Sequence, residues 1–545
     1  MKKLLQSILA AILFIIGLSA DAQTRYLEDV FSSVTVTQDV TYATNVSVLP
    51  MLAGQPPALT PLPCDIYEPT GDTATDRPVI ILAHTGSFLP PVLNGQPTGS
   101  KSDSSIVEQC TRWAKKGYVA VAMTYRKGWN PSSTDQQTRT STLIQAAYRS
   151  IQDARSLIRF MRQDEANGDT YGIDGSKIVF GGQGTGGYLS LGVATLDTSS
   201  ELYLPKFLDL TNPSSPVPYV YPPVFGNIWG TDMGYLPVTD SLGNPVLDTA
   251  GNQVMAPFAV PNNVGYSSDI NLAFNIGGAL ADISWLEAGD VPIVGFHCHK
   301  DEYAPIDTGD VIVPTTGDFV VEVMGSRTVA HYSNAYGNND IFIQAGFTDN
   351  FTTAANINNS GYEGLYVFKT PAPSTTPNAF GQNWEEEGAP WDWWDLATYD
   401  TMWMQSPLTP APALIPGFGS ANSILGNPNM SANKGRSYID TIQGYLNPRI
   451  YIALGLVDSS STGINEIINA STEIYPNPAN SSLNVVSYAA GINTISIYNL
   501  NGKEVLHTKV NANQIRLNTS SLANGIYIID IKSNKTSIKR KLIIR

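Results

Sequence analysis

Cysteine, histidine and charged residues are all scarce in this chain. Its 545 residues include 3 Cys and 5 His, and only 14% of them are charged. Three Cys cannot build a disulfide framework, so packing must stabilise the fold. The net charge of −15 argues against a nucleic-acid partner, because binding phosphates requires clustered Lys and Arg. Wholesale disorder is excluded by an apolar content of 42%, and the length suggests more than one domain.

Long apolar runs are also scarce, and the longest stands at the start of the chain. Residues 4–20 follow Lys2 and Lys3 and precede Ala20-Asp21-Ala22, a small-x-small cleavage pattern. A transmembrane anchor is the alternative, but 17 residues followed by such a site are more typical of a signal peptide. We therefore predict a signal peptide over residues 1–22 and export to the periplasm. No later segment is apolar for long enough to span a bilayer.

The last 74 residues differ from the rest in charge and pattern. Residues 472–545 hold nine Lys and Arg against three Asp and Glu, a net charge of +6, which leaves −22 for residues 23–471. Short β-branched runs between Asn-Gly turns predict a small β-sandwich. The predicted strands are 483–487, 494–498, 504–509, 514–517, 526–532 and 537–544.

Four motifs in this region carry a specific resemblance. They are YPNPA at 475–479, IYNLNGK at 497–503, GIYI at 525–528 and a basic strand at the C-terminus. Their order resembles the type A C-terminal sorting domain of the type IX secretion system. The resemblance implies that the secretion machinery is a partner. It also implies that the protein is released or held at the outer-membrane surface.

Between residues 23 and 457 the pattern alternates between strand and helix. Apolar runs predict strands at 64–67, 79–83, 119–124, 178–180, 270–276, 291–296 and 365–368. Near-continuous apolar strands separated by helices indicate a parallel sheet covered on both faces, hence an α/β fold. Ser105 and Glu108 form a capping-box pattern, and apolar spacing over 144–161 indicates a second helix.

Three loops that follow predicted strands give this region a family resemblance. Their sequences are AHTGSF at 83–88, GGQGTGGY at 181–188 and FHCHKD at 296–301. Their order resembles the α/β-hydrolase fold of carboxylesterases and feruloyl-esterase-like enzymes, over roughly residues 60–370. In that family the first loop supplies oxyanion-hole N–H groups, which the resemblance assigns to Thr85, Gly86 and Ser87, and Thr185 of the second loop supplies a further N–H. The second loop is the nucleophile elbow, and the third carries the triad acid, here Asp301.

The elbow departs from the family pattern. The pentad Gly-x-Ser-x-Gly corresponds here to residues 182–186, and Gly184 stands at the nucleophile position. Thr185 is the nearest hydroxyl, but the family uses that position for a backbone N–H, and its side chain is expected to point into helix packing. Thr185 is therefore a weak alternative nucleophile.

The His that would act as general base is also missing from its expected position. The fold places a His after its last strand, yet no His occurs between His331 and His507. We expect His331 to be a surface or packing residue of a helix. Asp301 without a His has nothing to orient. The resemblance therefore implies a degenerate triad.

A metal site is the weaker alternative chemistry. His297, His299 and Asp301 alternate along an extended segment and would face one side. They resemble the His-x-His-x-Asp run of metallo-β-lactamase-like hydrolases, which need further His ligands downstream. We therefore predict neither a metal nor a cofactor. Cys298 points to the opposite side, which disfavours a Cys-His nucleophile.

An aromatic cluster follows the last predicted strand. Five of the nine Trp lie within twenty residues, among Glu and Asp: Trp384, Trp391, Trp393, Trp394 and Trp403. The first four are candidates for binding a sugar ring or an aromatic polymer. The alternative is a packed cover over the pocket, and both can hold together.

These observations predict four regions. A signal peptide (1–22) precedes an α/β-hydrolase-like domain (23–457) with an insertion at about 195–265 and a Trp-rich extension at about 371–457. A linker (458–471) leads to the sorting domain (472–545). The leading hypothesis is a secreted or surface-held esterase-family protein that binds a ligand without catalysis. An atypical ester or polymer hydrolase and a glycan- or polymer-binding protein are the alternatives.

Overall fold

A computed structural model of the chain describes residues 25–545 except 92, 241, 313–316, 378–382, 407–413, 457–471, 488–490, 500–502 and 534–536. The predicted signal peptide, the linker and the Asn501-Gly502 turn lie outside the described residues. No described helix is long and apolar enough to cross a membrane.

An eight-stranded sheet organises the larger part of the molecule. We number its strands β1 (Val34–Ser47), β2 (Ala58–Pro69), β3 (Arg77–Ala83), β4 (Val119–Met123), β5 (Ile173–Gln183), β6 (Leu272–Ile276), β7 (Ile293–Cys298) and β8 (Leu365–Phe368). The spatial order is β1-β2-β4-β3-β5-β6-β7-β8. The pairs β1–β2 and β2–β4 are antiparallel. The other six strands of the order, β4, β3, β5, β6, β7 and β8, run parallel to one another. This confirms the α/β class with a mostly parallel sheet.

Helices cover both faces of this sheet. Every residue of β3 is buried, with Val79 and Ile81 in one hydrophobic core and Ile80 and Leu82 in the other. This two-sided burial explains the continuous apolar strand sequences. The longer helices are Ser104–Lys116, Gln136–Asn167, Thr185–Thr195, Ser326–Ala335, Leu396–Gln405 and Ala432–Ala453. Shorter helices are Leu49–Ala53, Pro222–Phe225, Asp340–Ala345, Asn350–Ala355 and Phe418–Ile424.

The segment between Thr195 and β6 forms small separate units. Its strand pairs are Leu208–Asp209 with Val217–Pro218, and Gly234–Pro237 with Met255–Ala259. At the tip of the second pair, Asp240 and Asp248 accept backbone hydrogen bonds within two turns of the same form. A further sheet joins Ala279–Leu280, Phe319–Gly325 and Thr308–Ile312.

The capping-box prediction is wrong. The helix begins at Ser104 with Asp103 as its N-cap residue, so Ser105 lies inside its first turn and is buried. Glu108 accepts hydrogen bonds from Arg112 and Arg436 instead of reaching back to the helix start. Two arginines close to one carboxylate offer stronger, charge-assisted partners than a backbone N–H.

The C-terminal region forms two sheets around a core of its own. Its strands are Thr472–Tyr475, Ser482–Ser487, Ile492–Asn499, Glu504–Ala512, Gln514–Asn518, Gly525–Ser533 and Ser537–Ile544. Three belong to one sheet and four to the other. The core between them includes Leu483, Ile495 and Ile529, all fully buried. This arrangement confirms a strand-rich sandwich, although the first strand was not predicted.

Candidate functional site

The turn between β5 and the helix Thr185–Thr195 has the geometry expected of an elbow. Gly184 adopts φ +50° and ψ −115°, a left-handed conformation that favours glycine. A Cβ atom at Gly182 would lie 2.2 Å from the backbone of Gly186, and one at Gly186 would lie 2.2 Å from the carbonyl oxygen of Ala83. Both flanking positions therefore require glycine, as the elbow pattern does.

The side chain of Thr85 fills the space in front of Gly184. A Cβ atom built on Gly184 would lie 2.2 Å from Thr85 Oγ1 and 3.0 Å from Thr85 Cβ. Real Cβ atoms do not approach other atoms to 2.2 Å, so a serine at 184 and this conformer of Thr85 exclude each other. The loop residue thus occupies the region into which a nucleophile side chain would extend.

The remaining residues of the predicted oxyanion loop lie on the same cavity wall. Gly86, Ser87 and Thr185 line the cavity together with Thr85 and Gly184. Thr185 does not point into helix packing as expected: its Oγ1 lies 2.9 Å from the Tyr125 hydroxyl. That hydroxyl donates to the carbonyl oxygen of His84 at 2.8 Å. Thr185 is therefore tied to a buried tyrosine, with no basic side chain as its partner.

Asp301 lies in the loop after β7 and also lines the cavity. Its Oδ1 accepts hydrogen bonds from the backbone N–H groups of Tyr303 (2.8 Å) and Ala304 (3.1 Å). Its side chain is 3% exposed. Burial raises the pKa of Asp301 to about 8, because a charged carboxylate is poorly solvated there.

None of the five His lines the cavity, although all five lie among the described residues. The His297 ring lies between Ser326 Oγ (2.9 Å) and the Ala304 carbonyl (3.0 Å), and burial lowers its pKa to about 4. His299 Nδ1 lies 3.3 Å from Glu386 Oε1. His331 is exposed on a helix, and His507 bonds to Ser496 in the C-terminal region.

The hydrogen bonds of His297 and His299 also show which of their ring nitrogens already have protein partners. Both nitrogens of His297 are used by Ser326 and Ala304, and His299 turns to Glu386. Within the described part of the chain, no group of three or more His, Cys, Asp or Glu is placed to hold a metal ion.

A buried polar network behind the elbow was missed by sequence reasoning. Asp392 Oδ1 accepts hydrogen bonds from Ser105 Oγ (2.7 Å) and Gln183 Nε2 (3.1 Å). Burial raises the pKa of Asp392 to about 6. Gln109 Nε2 donates to Gln183 Oε1 at 3.1 Å. The only sign of this network in the sequence was an acidic residue inside the Trp cluster. Ser105 had been assigned to a capping box instead.

The cavity has a volume of about 200 Å³ and is closed on one side by the segment after β8. Trp391 and Trp394 line it. Trp384 and Trp393 are not among the lining residues: Trp384 is buried, and the Trp393 ring packs against Gly435 and Arg436. Of the four Trp named as candidates, two therefore face the cavity and two are packed elsewhere.

Two family models match the chain. Residues 64–212 match BD-FAE, a family of esterase-like α/β-hydrolase domains, and this range includes the oxyanion loop and the elbow. Residues 473–545 match the secretion system C-terminal sorting domain. A comparison with curated proteins gave no match.

Solved structures of Thermogutta terrifontis esterase 2 were also found. The paraoxon-phosphorylated form is 20% identical, covers 50% of this chain and 74% of its own, and has a TM-score of 0.27. The apo form is 18% identical, covers 50% and 75%, and has the same TM-score. The propionate-bound form is 19% identical, with coverages of 50% and 75% and a TM-score of 0.27.

The sorting-domain match makes the protein secreted or surface-held and implies interaction with the secretion machinery. The larger region contains the eight-stranded sheet and the BD-FAE match. The chain thus combines an esterase-like α/β-hydrolase domain with a C-terminal sorting domain of the type IX secretion system.

Proposed function

We propose that the hydrolase-fold domain binds a ligand in its cavity and has lost serine-hydrolase catalysis. The observation that carries the proposal is the contact between positions 85 and 184. Gly184 has no side chain to attack with, and Thr85 Oγ1 stands 2.2 Å from the place where a Cβ would be. The Thr85 side chain therefore occupies the space that a nucleophile side chain at position 184 would need.

The absent base supports the same proposal. A serine or threonine hydroxyl is a weak nucleophile unless an adjacent base removes its proton. No His lines the cavity, and Thr185 Oγ1 is placed against Tyr125, whose own pKa is raised by burial. Tyr125 thus stays protonated at neutral pH and cannot act as that base. Asp301 occupies the acid position without a His to orient.

We also propose the export route. The leader pattern at 1–22 would take the chain to the periplasm, and the sorting domain would then take it across the outer membrane. In this proposal the functional domain is 23–457, and 458–471 is a linker. The sorting-domain match at 473–545 supports the second step.

Ester turnover tests the proposal directly. We expect the purified protein to hydrolyse p-nitrophenyl acetate and butyrate no faster than buffer does. Hydrolysis that Thr185→Ala abolishes would contradict the proposal and assign an atypical threonine nucleophile. Hydrolysis lost on adding a chelator and restored by zinc would instead support the metal alternative at His297, His299 and Asp301.

Binding to polymers through exposed Trp faces is the other alternative. A Cβ atom on Gly435 would lie 2.2 Å from the Trp393 ring, and the Arg436 guanidinium lies 5.5 Å from its centre. Such packing leaves little free ring face for a sugar. We expect Trp393→Ala to leave retention on insoluble polysaccharide unchanged, whereas a loss of retention would favour the alternative.

A further inference from the structure

A second, apolar chamber of about 60 Å³ lies beside the cavity and shares five of its lining residues: Ile144, Ala147, Tyr188, Phe207 and Ala281. The remainder of this chamber is aliphatic or aromatic, with Ile151, Leu196, Leu202, Trp285 and others. Such a wall favours a hydrocarbon or aromatic group over a charged one, because it contains no charged side chain and the Tyr148 hydroxyl already donates to the Gly226 carbonyl.

The wall of the main cavity also carries two carboxyl groups, Asp301 and Asp392, that have no counter-ion among the described residues. Asp301 Oδ2 accepts no hydrogen bond from the described residues, because both of the bonds to this side chain go to Oδ1. Its nearest basic group, His297 Nε2 at 3.6 Å, is neutral at physiological pH. Among the described residues, the Asp392 carboxyl group accepts hydrogen bonds from the neutral side chains of Ser105 and Gln183 and from no cation.

The third carboxyl group of the wall shows what is missing at Asp301. Glu387 forms an ion pair with Lys434. Buried carboxylates are normally paired in this way. Asp301, with a side chain only 3% exposed, lacks such a partner within the described part of the chain.

An aromatic ring lies beside the unpaired oxygen. A Cβ atom on Gly277 would lie 3.4 Å from Asp301 Oδ2 and 3.3 Å from Cζ2 of Trp391, so the two groups flank the same point at the end of β6. Asp301, with a pKa of about 8, holds its proton at neutral pH. An ammonium group there would lower that pKa, release the proton and gain a carboxylate acceptor beside an indole ring. A carboxylate ligand would raise the pKa further.

Resting on the proposed function, we infer that the ligand is an amphiphilic amine, with its ammonium group at Asp301 and Trp391 and its apolar part in the side chamber. Because the described residues supply no cation to the Asp301 carboxyl group, the ligand would supply it.

Three probes with one tail and different heads test the head assignment. Octylammonium, 1-octanol and octanoate are titrated into the full secreted chain at pH 7.5, by calorimetry and by Trp fluorescence. We expect octylammonium to bind at least about tenfold more tightly than 1-octanol, a difference of about 1.4 kcal/mol. Equal or tighter binding of 1-octanol or octanoate would overturn the inference.

Two variants assign the head contact. Asp301→Asn keeps an Oδ1 acceptor for Tyr303 and Ala304 but removes the charge, and we expect it to weaken octylammonium about tenfold and leave 1-octanol unchanged. Glu385→Gln is the matched control, because Glu385 is exposed and pairs with Lys300 outside the cavity wall. Unchanged octylammonium affinity in folded Asp301→Asn would overturn the inference.

The placement of the apolar part of the ligand is tested at Ala147, which the cavity and the chamber share. Ala147 lines both spaces, so Ala147→Leu should reduce the room for a chain that extends from the cavity into the chamber. We expect it to weaken octylammonium severalfold and ethylammonium hardly at all, whereas equal effects on both would contradict the tail placement. Ester turnover is measured on the same samples. Hydrolysis would overturn the proposed function, while failed amine selectivity without hydrolysis would overturn only this inference.

Discussion

At the scale of single residues, the contact between Thr85 and Gly184 couples two positions from different loops. Glycine at 184 leaves room for the threonine, and the threonine fills the room that glycine leaves. A change at either position should therefore depend on the other, as neighbouring substitutions do when they share a space.

We expect Gly184→Ser to destabilise the protein by about 2–4 kcal/mol, because the new Cβ meets Thr85 and the residue has φ +50°. Adding Thr85→Gly should recover about half of the loss. Urea unfolding monitored by Trp fluorescence measures both. Neither variant should hydrolyse esters, since a base is still missing.

Gly346→Ser is a control for a positive φ without a steric contact, although the ψ of Gly346 (48°) differs from that of Gly184 (−115°). Gly346 also has a positive φ, +60°, but a Cβ atom there would meet nothing within 4 Å. We expect a loss of about 1 kcal/mol, the backbone part alone. Equal losses at 346 and 184 would show that Thr85 does not oppose a side chain at 184.

Asp301 should make stability depend on pH. Its folded pKa of about 8 lies above that of an unfolded Asp, so the folded state holds an extra proton between about pH 4 and pH 8. The free energy of unfolding then falls as pH rises, by on the order of 1 kcal/mol per unit from this group. Urea unfolding from pH 5 to pH 8 should show a smaller decline in Asp301→Asn. An identical decline in both proteins would contradict the assignment.

The family resemblance was enough to predict Gly184 in the loop after β5 and Asp301 in the loop after β7, because both loops follow recognisable strands. It could not reveal that Thr85 faces Gly184, or that Asp392 bonds to Ser105. These residues are separated by 99 and 287 positions, and their contacts exist only once the sheet has brought its loops together.

At the scale of elements, strand prediction worked where both faces are buried. β3 and β4 were found because residues 79–83 of β3 and all residues of β4 are apolar and buried. β1 was missed because it lies at the edge of the sheet, where its first half is largely exposed and rich in Thr. An exposed edge needs no apolar pattern, so its sequence gives little signal.

The segment after β8 contributes residues to the cavity wall, but the burial of its Trp side chains differs from residue to residue. Trp391 is 2% exposed and belongs to the core beneath the sheet, where it contacts Phe368. We expect Trp391→Ala to destabilise the protein by about 3–5 kcal/mol in urea unfolding. Trp229→Ala is the control, because Trp229 is 43% exposed and should cost less than about 1 kcal/mol. Similar effects of the two would contradict a structural role for Trp391.

At the scale of the whole molecule, charge and packing divide the chain in the same way. Residues 23–471 carry −22 and residues 472–545 carry +6. The core of the C-terminal sandwich contains only its own residues, from Ala479 to Ile544. Separate cores are what independently folding domains require.

We therefore expect removal of residues 458–545 to leave the main thermal transition of the larger domain within about 2 °C. Scanning calorimetry of the two forms checks this. A loss of cooperative unfolding in the shorter form would contradict the proposed boundary. Secretion of the shorter form should fail, because it lacks the sorting domain.

The absence of a working nucleophile is tested most directly by intact-mass spectrometry after exposure to a fluorophosphonate, with an active serine esterase as the positive control. Such a reagent adds a fixed mass to any hydroxyl that a hydrolase site activates. We expect the mass of this protein to stay unchanged while the esterase is fully labelled. One adduct per chain, located at Thr185 or another hydroxyl of the cavity and lost in the corresponding alanine variant, would contradict the loss of catalysis.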